Sequence, residues 1–460
     1  MKRKFNIIKI AALLLSVLLC FSISLTSCSG EGEGEQSEAE TEPPFDPAIG
    51  SGEQGELYLR YVEYKENASL AFSANNPMGK EAFSYEIADG KAKIIEYIGK
   101  ESIVVVPESI DGATVAEIAA GAFSGSIIRA VYIPDTVEII AQGAFDGCDH
   151  LSTLRLPFIG DGNDNQFIGY VFGADEPDKN AVALPATLDM VIIGEKCNTV
   201  QDGAFKGAKA LSAVVLPDSV TRIGKMAFYQ CYDLVYFSCN GVSEIDEYAF
   251  AYCRALYNID ISSAQSVAKG ALYSCSSINS IALTLGDGDY IGRVFDATSP
   301  EYNDELVPDT LRTVTVAEGC TGIPDMAFYS CQYITKINLP DSLEKIGIRS
   351  FYACRSLGEI TVPDRVKTIS DDAFFGCENL VTLKLGASLE VIGMQAFYGC
   401  GAIKSVECPQ SLTEIKASAF YGCKSLASVS LGGTEKVGRD AFGDCPGLEP
   451  IDYSGVSVEE

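Results

Sequence analysis

"AFYGCKSL", Ala419 to Leu426, is one of a set of near-copies. "AFYGCGAI" stands at Ala396 to Ile403 and "AFFGCENL" at Ala373 to Leu380. Each puts a cysteine three residues after a phenylalanine. A recurring thiol points to metal binding, redox chemistry, disulfides or packing, and the choice separates an enzyme from a scaffold. Aligned on the Ala-Phe pair, the chain shows Phe123, Phe145, Phe205, Phe228, Phe250, Phe328, Phe351, Phe374, Phe397, Phe420 and Phe442, with Leu272 standing in once. These twelve units follow at 22 or 23 residues inside the regular runs. A period of that length marks a solenoid and matches a leucine-rich repeat.

Apolar positions keep a fixed register to each phenylalanine. Eight residues before it stand Val220, Leu343, Val366, Leu389 and Leu412; five before it stand Ile223, Ile346, Ile369, Ile392 and Ile415. Nine and eleven after it come Ile360 and Val362, Leu383 and Leu385, Val429 and Leu431. That last pair alternates with period two, as in a half-buried strand. Proline often follows, as at Pro217, Pro340 and Pro363, and ends the strand by removing an N–H. Ala-Phe-x-x-Cys itself reads as a tight helical turn. No unit can enclose its own apolar face, so coils stack at about 4.8 Å and bury a shared column.

Two stretches break the rhythm, 159–205 and 285–328, and they resemble each other. Phe172 and Phe295, Pro185 and Pro308, and Cys197 and Cys320 share one offset, so the array carries a duplicated enlarged coil. The pattern Leu-x-x-Ile-x-Leu-Pro-x-x-Leu-x-x-Ile-Gly-x-x-Ala-Phe-x-x-Cys resembles the BspA-like, treponemal-type, leucine-rich-repeat family of bacterial surface proteins. The likeness covers roughly residues 83–453. It implies a leucine-rich-repeat solenoid, a right-handed superhelix with parallel strands on its concave face, mostly β with short turns. It also implies adhesion, or binding of host or envelope proteins, as the role; glycan binding or an envelope scaffold is the alternative.

The chain has 460 residues, 47% of them hydrophobic, and a net charge of −29. So acidic a chain repels nucleic-acid phosphate. Its one histidine, His150, allows no two-histidine metal site and sits at a variable position expected on the surface. No nucleophile–base pair, metal cluster or phosphate loop stands apart from the repeat, so the expectation is a non-enzymatic protein without cofactor. "GDGNDN", Gly160 to Asn165, is a weak calcium-loop match, since Gln166 and Phe172 stand where glycine and a bidentate glutamate belong.

The N-terminus reads as an export signal over 1–27. "MKRKFNIIK" gives a cationic start and "IAALLLSVLLCFSISL" an apolar run, long enough that an uncleaved anchor is the alternative. "LTSC", Leu25 to Cys28, resembles a bacterial lipobox, which implies lipidation of Cys28, membrane attachment and an exported chain, on the cell surface. Residues 28–56 hold the lipidated cysteine and an acidic, Gly/Glu/Ser/Pro-rich tether. Residues 57–122 form an N-terminal cap region, 123–453 the solenoid with enlarged coils near 158–204 and 285–327, and 454–460 a tail.

Sixteen cysteines occur. Ten lie three residues after the phenylalanine; Cys239 and Cys408 fall where other units have Leu or Val, and Cys197 and Cys320 fall eight residues before it. All but Cys20 and Cys28 thus occupy small or apolar positions, and they read as core filler. Two surfaces remain for binding. Tyr229, Tyr273, Tyr329, Tyr352, Tyr398 and Tyr421, with Phe375 in register, follow the core residue and should align as an aromatic ladder, either self-packed or ligand-binding. Lys336, Asn338, Glu359, Thr361, Thr382 and Lys384 face outward from the strands.

Overall fold

The computed structural model describes residues 77–459 apart from 239, together with 59 and 62. The signal, Cys28, the tether and Cys239 lie outside the described residues. What is described is a parallel β-solenoid with little helix, whose coils are joined by hydrogen bonds on three sides.

The first side is a ladder of the strands that the period-two pattern marks. Fourteen of them pair or neighbour in order among the described residues, from Ile103–Val105 to Ser428–Ser430. Thr313, Lys336, Glu359 and Thr382 are successive cross-strand partners. The second side is built from two-residue strands such as Lys345–Ile346, Thr368–Ile369 and Val391–Ile392, again parallel and in register. The third side is the Ala-Phe turn. The N–H of Phe374 donates to the carbonyl of Ala396 in the next coil, and that of Phe397 donates to Ala419, both at 2.7 Å.

The expected helical turn is instead a chain of tight turns with a fixed left-handed kink at each end. The residues two before and two after the phenylalanine have positive φ in all twelve units. Glycine fills many of these sites, such as Gly376, Gly399 and Gly422. Met326, Arg349 and Ala353 hold the same conformation at a cost of roughly 1 kcal/mol each. The kinks turn both flanking segments so that phenylalanine, cysteine and the preceding alanine all point inward.

The core is one continuous column. Phe328, Phe351, Phe374, Phe397, Phe420 and Phe442 stack with centroids 4.8–5.4 Å apart and planes within 12°. Full burial of such a ring is worth about 1.5–3 kcal/mol. At the N-terminal end an antiparallel pair, Phe83–Ala88 with Lys91–Tyr97, precedes the parallel coils.

The two interruptions are more than enlarged coils. Each contains an extra turn of the solenoid, with Val171-Phe172 and Val294-Phe295 in place of Ala-Phe. Phe145 N–H donates to Val171 O, and Leu272 N–H to Val294 O, as between ordinary coils. A short 3₁₀ turn and one helical turn follow, at Pro177–Lys179 with Asn180–Ala183 and at Pro300–Tyr302 with Asn303–Leu306. Alignment on Ala-Phe misses these two coils because neither has the alanine.

Candidate binding surfaces

The thiol column settles the opening question. Thirteen cysteines are described, all free, and all but Cys445 are buried. Their role exceeds space filling. Sγ of Cys354 donates to the carbonyl of Phe328 in the preceding coil at 3.1 Å; Cys377 does the same to Phe351 at 3.2 Å and Cys400 to Phe374 at 3.1 Å. Cys148, Cys231, Cys253 and Cys275 repeat the contact in the other half. A thiol is small and apolar enough for the column, yet offers a weak donor to a carbonyl deep in the core. Burial pushes the thiols of Cys253, Cys331, Cys354 and Cys377 well up, and that of Cys408 up to about 12. They are therefore poor nucleophiles and poor metal ligands.

The aromatic ladder forms, in two styles. Tyr329, Tyr352, Phe375, Tyr398 and Tyr421 stack in parallel with centroids 4.8–5.1 Å apart and planes within 10°. Every ring is half-buried. Tyr229 and Tyr273 do not meet directly. Tyr252 stands between them, edge-on to each at 5.3 and 5.4 Å. It lies one residue later than the rest, behind Ala251, and the sequence reading missed it for that reason; the adjacent alanine and tyrosine were the available signal. Cations also sit on this group: Lys206 is 5.9 Å from the Tyr229 ring and Arg254 is 5.9 Å from Tyr252 and 5.2 Å from Tyr232.

Parallel stacking decides what the C-terminal ladder can offer. Each inner ring spends both π faces on its neighbours, so what remains is the ring edge and the phenol hydroxyl. The hydroxyls of Tyr329, Tyr352, Tyr398 and Tyr421 make no hydrogen bond to the described residues, so each is available to a partner. A sugar that binds by stacking needs an open ring face; a polypeptide can use edges and hydroxyls.

On the strand face, Asn338, Glu359, Thr361, Thr382 and Lys384 are exposed, and Lys336 is half-buried beside Glu359, with Nζ 3.5 Å from the carboxylate. Asn338 Nδ2 donates to Thr315 Oγ1 at 2.9 Å. Similar coil-to-coil ion pairs join Arg349 to Asp372, Arg355 to Glu378 and Lys367 to Glu390. These cations are neutralised locally, so the acidic excess stays on the surface.

Two weaker expectations meet a simple geometry. Asp161 of the "GDGNDN" loop accepts the N–H groups of Asn163 and Asn165 and the Nδ2 of Asn165, so its own loop occupies the carboxylate. His150 is exposed.

The chain matches a family model described as BspA type leucine rich repeat region, in six copies over 110–165, 180–293 and 321–449. No curated protein matches it. Similar solved structures include a leucine-rich repeat protein from Bacteroides ovatus, at 21% identity, covering 80% of this chain and 92% of that one with a TM-score of 0.36. A leucine rich cell surface protein from Faecalibacterium prausnitzii matches at 21% identity over 78% and 96%, TM-score 0.29. The Drosophila Toll–Spatzle complex matches at 16% over 83% and 56%, TM-score 0.44.

Proposed function

The chain belongs to the BspA-type leucine-rich-repeat family of bacterial surface proteins, and from that premise we propose that it binds another protein, non-covalently, from the outer face of the cell envelope. In this reading the export signal is removed, Cys28 carries the lipid, and residues 29–56 hold the solenoid clear of the membrane. The partner docks on the C-terminal half, across the polar strand face from Lys336 to Lys384 and the hydroxyl ridge of Tyr329 to Tyr421. The single observation that carries this is the parallel ring stack, which withholds aromatic faces from sugars and leaves edges and hydroxyls for a polypeptide. The family and fold are those of repeat proteins that generally lack catalysis, and no residue here is assigned a catalytic role.

The test keeps the stack and removes only the hydroxyls. Tyr352→Phe, Tyr398→Phe and Tyr421→Phe together should leave the melting temperature within a few degrees and weaken binding by tenfold or more. The probe is a panel of immobilised matrix proteins run beside a glycan array. Binding confined to glycans would replace this reading with the glycan one, and unchanged protein binding would move the site off the ridge. Metabolic labelling with a fatty-acid analogue should mark the wild type and not Cys28→Ala.

A further inference from the structure

The outward side of the strand ladder is not uniform. In the C-terminal half it is polar and exposed. Around the middle of the N-terminal half it is apolar and covered. Met190 pairs with Ala213, which pairs with Tyr236, and Ile192 pairs with Val215. These five residues form a cluster separate from the core, which holds their neighbours Val191, Ile193 and Val214 on the opposite face. Strands apolar on both faces are strands packed on both faces. Ile192 is 1% exposed and Met190 8%. Arg155 flanks the patch, itself buried, over the ring of Tyr132 at 4.7 Å and bonded to Asp135.

We infer that the cover is this chain's own segment 57–66, "LYLRYVEYKE", laid across the patch as an amphipathic helix. Leu59 and Val62 are both helical, one turn apart. Leu59 is 65% exposed, and helical spacing puts it on the same face as Glu63 and Glu66. The opposite face then holds Leu57, Tyr58, Tyr61 and Tyr64, an apolar, aromatic stripe. Reach is sufficient. Met78 N–H donates to Val105 O at 2.9 Å, so the described chain begins beside the first strand of the ladder. The patch starts three strands further on, about 14 Å, and ends about 24 Å away. Residues 67–76 extend to roughly 33 Å. A ten-residue helix is about 15 Å long, enough to cross the three strands. The segment would blank the N-terminal half of the face and leave the C-terminal half for a partner.

Met190 supplies the readout. Peroxide oxidises exposed methionine, and Met394, 46% exposed, is the internal reference. In chain 29–460 Met190 should form sulfoxide at least tenfold more slowly than Met394. With 57–66 replaced by ten Gly/Ser residues, the two rates should converge within about threefold, and added synthetic peptide 57–66 should restore the difference. Protection that survives replacement in a monomer overturns the inference. So does protection that rises with protein concentration, which would mean a second copy is the cover, and so does rapid Met190 oxidation in the intact chain. Should the replaced chain misfold, hydroxyl-radical labelling of the intact chain decides: Tyr58 and Tyr61 should label far more slowly than exposed Tyr302, and equal rates reject the docking.

Discussion

The two halves of this solenoid share one core and differ in the face they turn outward. Phe205, Phe228 and Phe250 stack as tightly as Phe351, Phe374 and Phe397, and the same cysteine-to-carbonyl contact runs through both. Outside, Met190, Ile192 and Val215 occupy the kind of position that Lys336, Glu359 and Thr361 occupy later. Stacking constrains the inward positions because every coil must fit its neighbours. The outward positions answer only to what lies on them, so each half records a different neighbour: an apolar cover in one and solvent or a polar partner in the other.

A perturbation of the shared core cannot distinguish the halves, and the largest effect expected is of that kind. Cys253, Cys331, Cys354, Cys377, Cys408 and Cys423 are deeply buried, and burial raises all six thiols. In the unfolded chain a thiol ionises near pH 8.5, while in the folded chain it stays protonated. Above that pH the unfolded state binds fewer protons, so stability falls as pH rises; below it the contribution is intact. Each thiol withdraws up to about 1.4 kcal/mol per pH unit. Thermal melts from pH 7 to 10.5 should show a flat plateau and then a steep loss above about pH 9. Both halves should melt together, because one continuous apolar core runs through them. A melting temperature unchanged to pH 10.5 would mean the thiols are reached by water.

The next perturbation separates the faces. Ile192→Asp puts a carboxylate into the covered patch and should cost about 3 kcal/mol or more in urea unfolding. Thr361→Asp makes a comparable change on the exposed face and should stay within about 0.5 kcal/mol. Equal costs would erase the distinction between the halves.

How much of this was legible follows from the same contrast. The Phe, Cys and Ile columns could be read because stacking repeats one chemical requirement twelve times, and a repeated requirement leaves a period. The left-handed kinks were hidden because Met326, Arg349 and Ala353 occupy some of these positions and glycine others, so no residue type marks the position. The two extra coils were hidden because Val171 and Val294 replace the marker alanine. Tyr252 escaped for a similar reason, one residue out of register. The thiol-to-carbonyl contact had no sequence signal at all, since packing alone explains a buried cysteine. Ligand-facing residues repeat no requirement, and so the strand face could be located but not assigned a partner.

The smallest effect compares the duplicated insertions. Asn180 is fully buried; its Oδ1 accepts Gly169 N–H at 2.9 Å and its Nδ2 donates to Gly203 O and Ala204 O. Asn303 is equally buried and accepts Gly292 N–H at 3.0 Å, but its Nδ2 has no partner among the described residues. In both, a Cβ on the bonded glycine would press into the amide oxygen, at 2.4 and 2.3 Å, which explains Gly169 and Gly292. Asn180→Ala strands the Gly169 N–H and takes a second donor from Gly203 O and Ala204 O, which keep the N–H groups of Lys206 and Ile168, and should cost about 2 kcal/mol. Asn303→Ala strands one donor while relieving an unpaired one, and should cost about 1 kcal/mol. Urea midpoints of the two variants give the comparison directly. Equal losses would show that a bound water completes Asn303, making the two insertions alike in their hydrogen bonding as well as in their backbone.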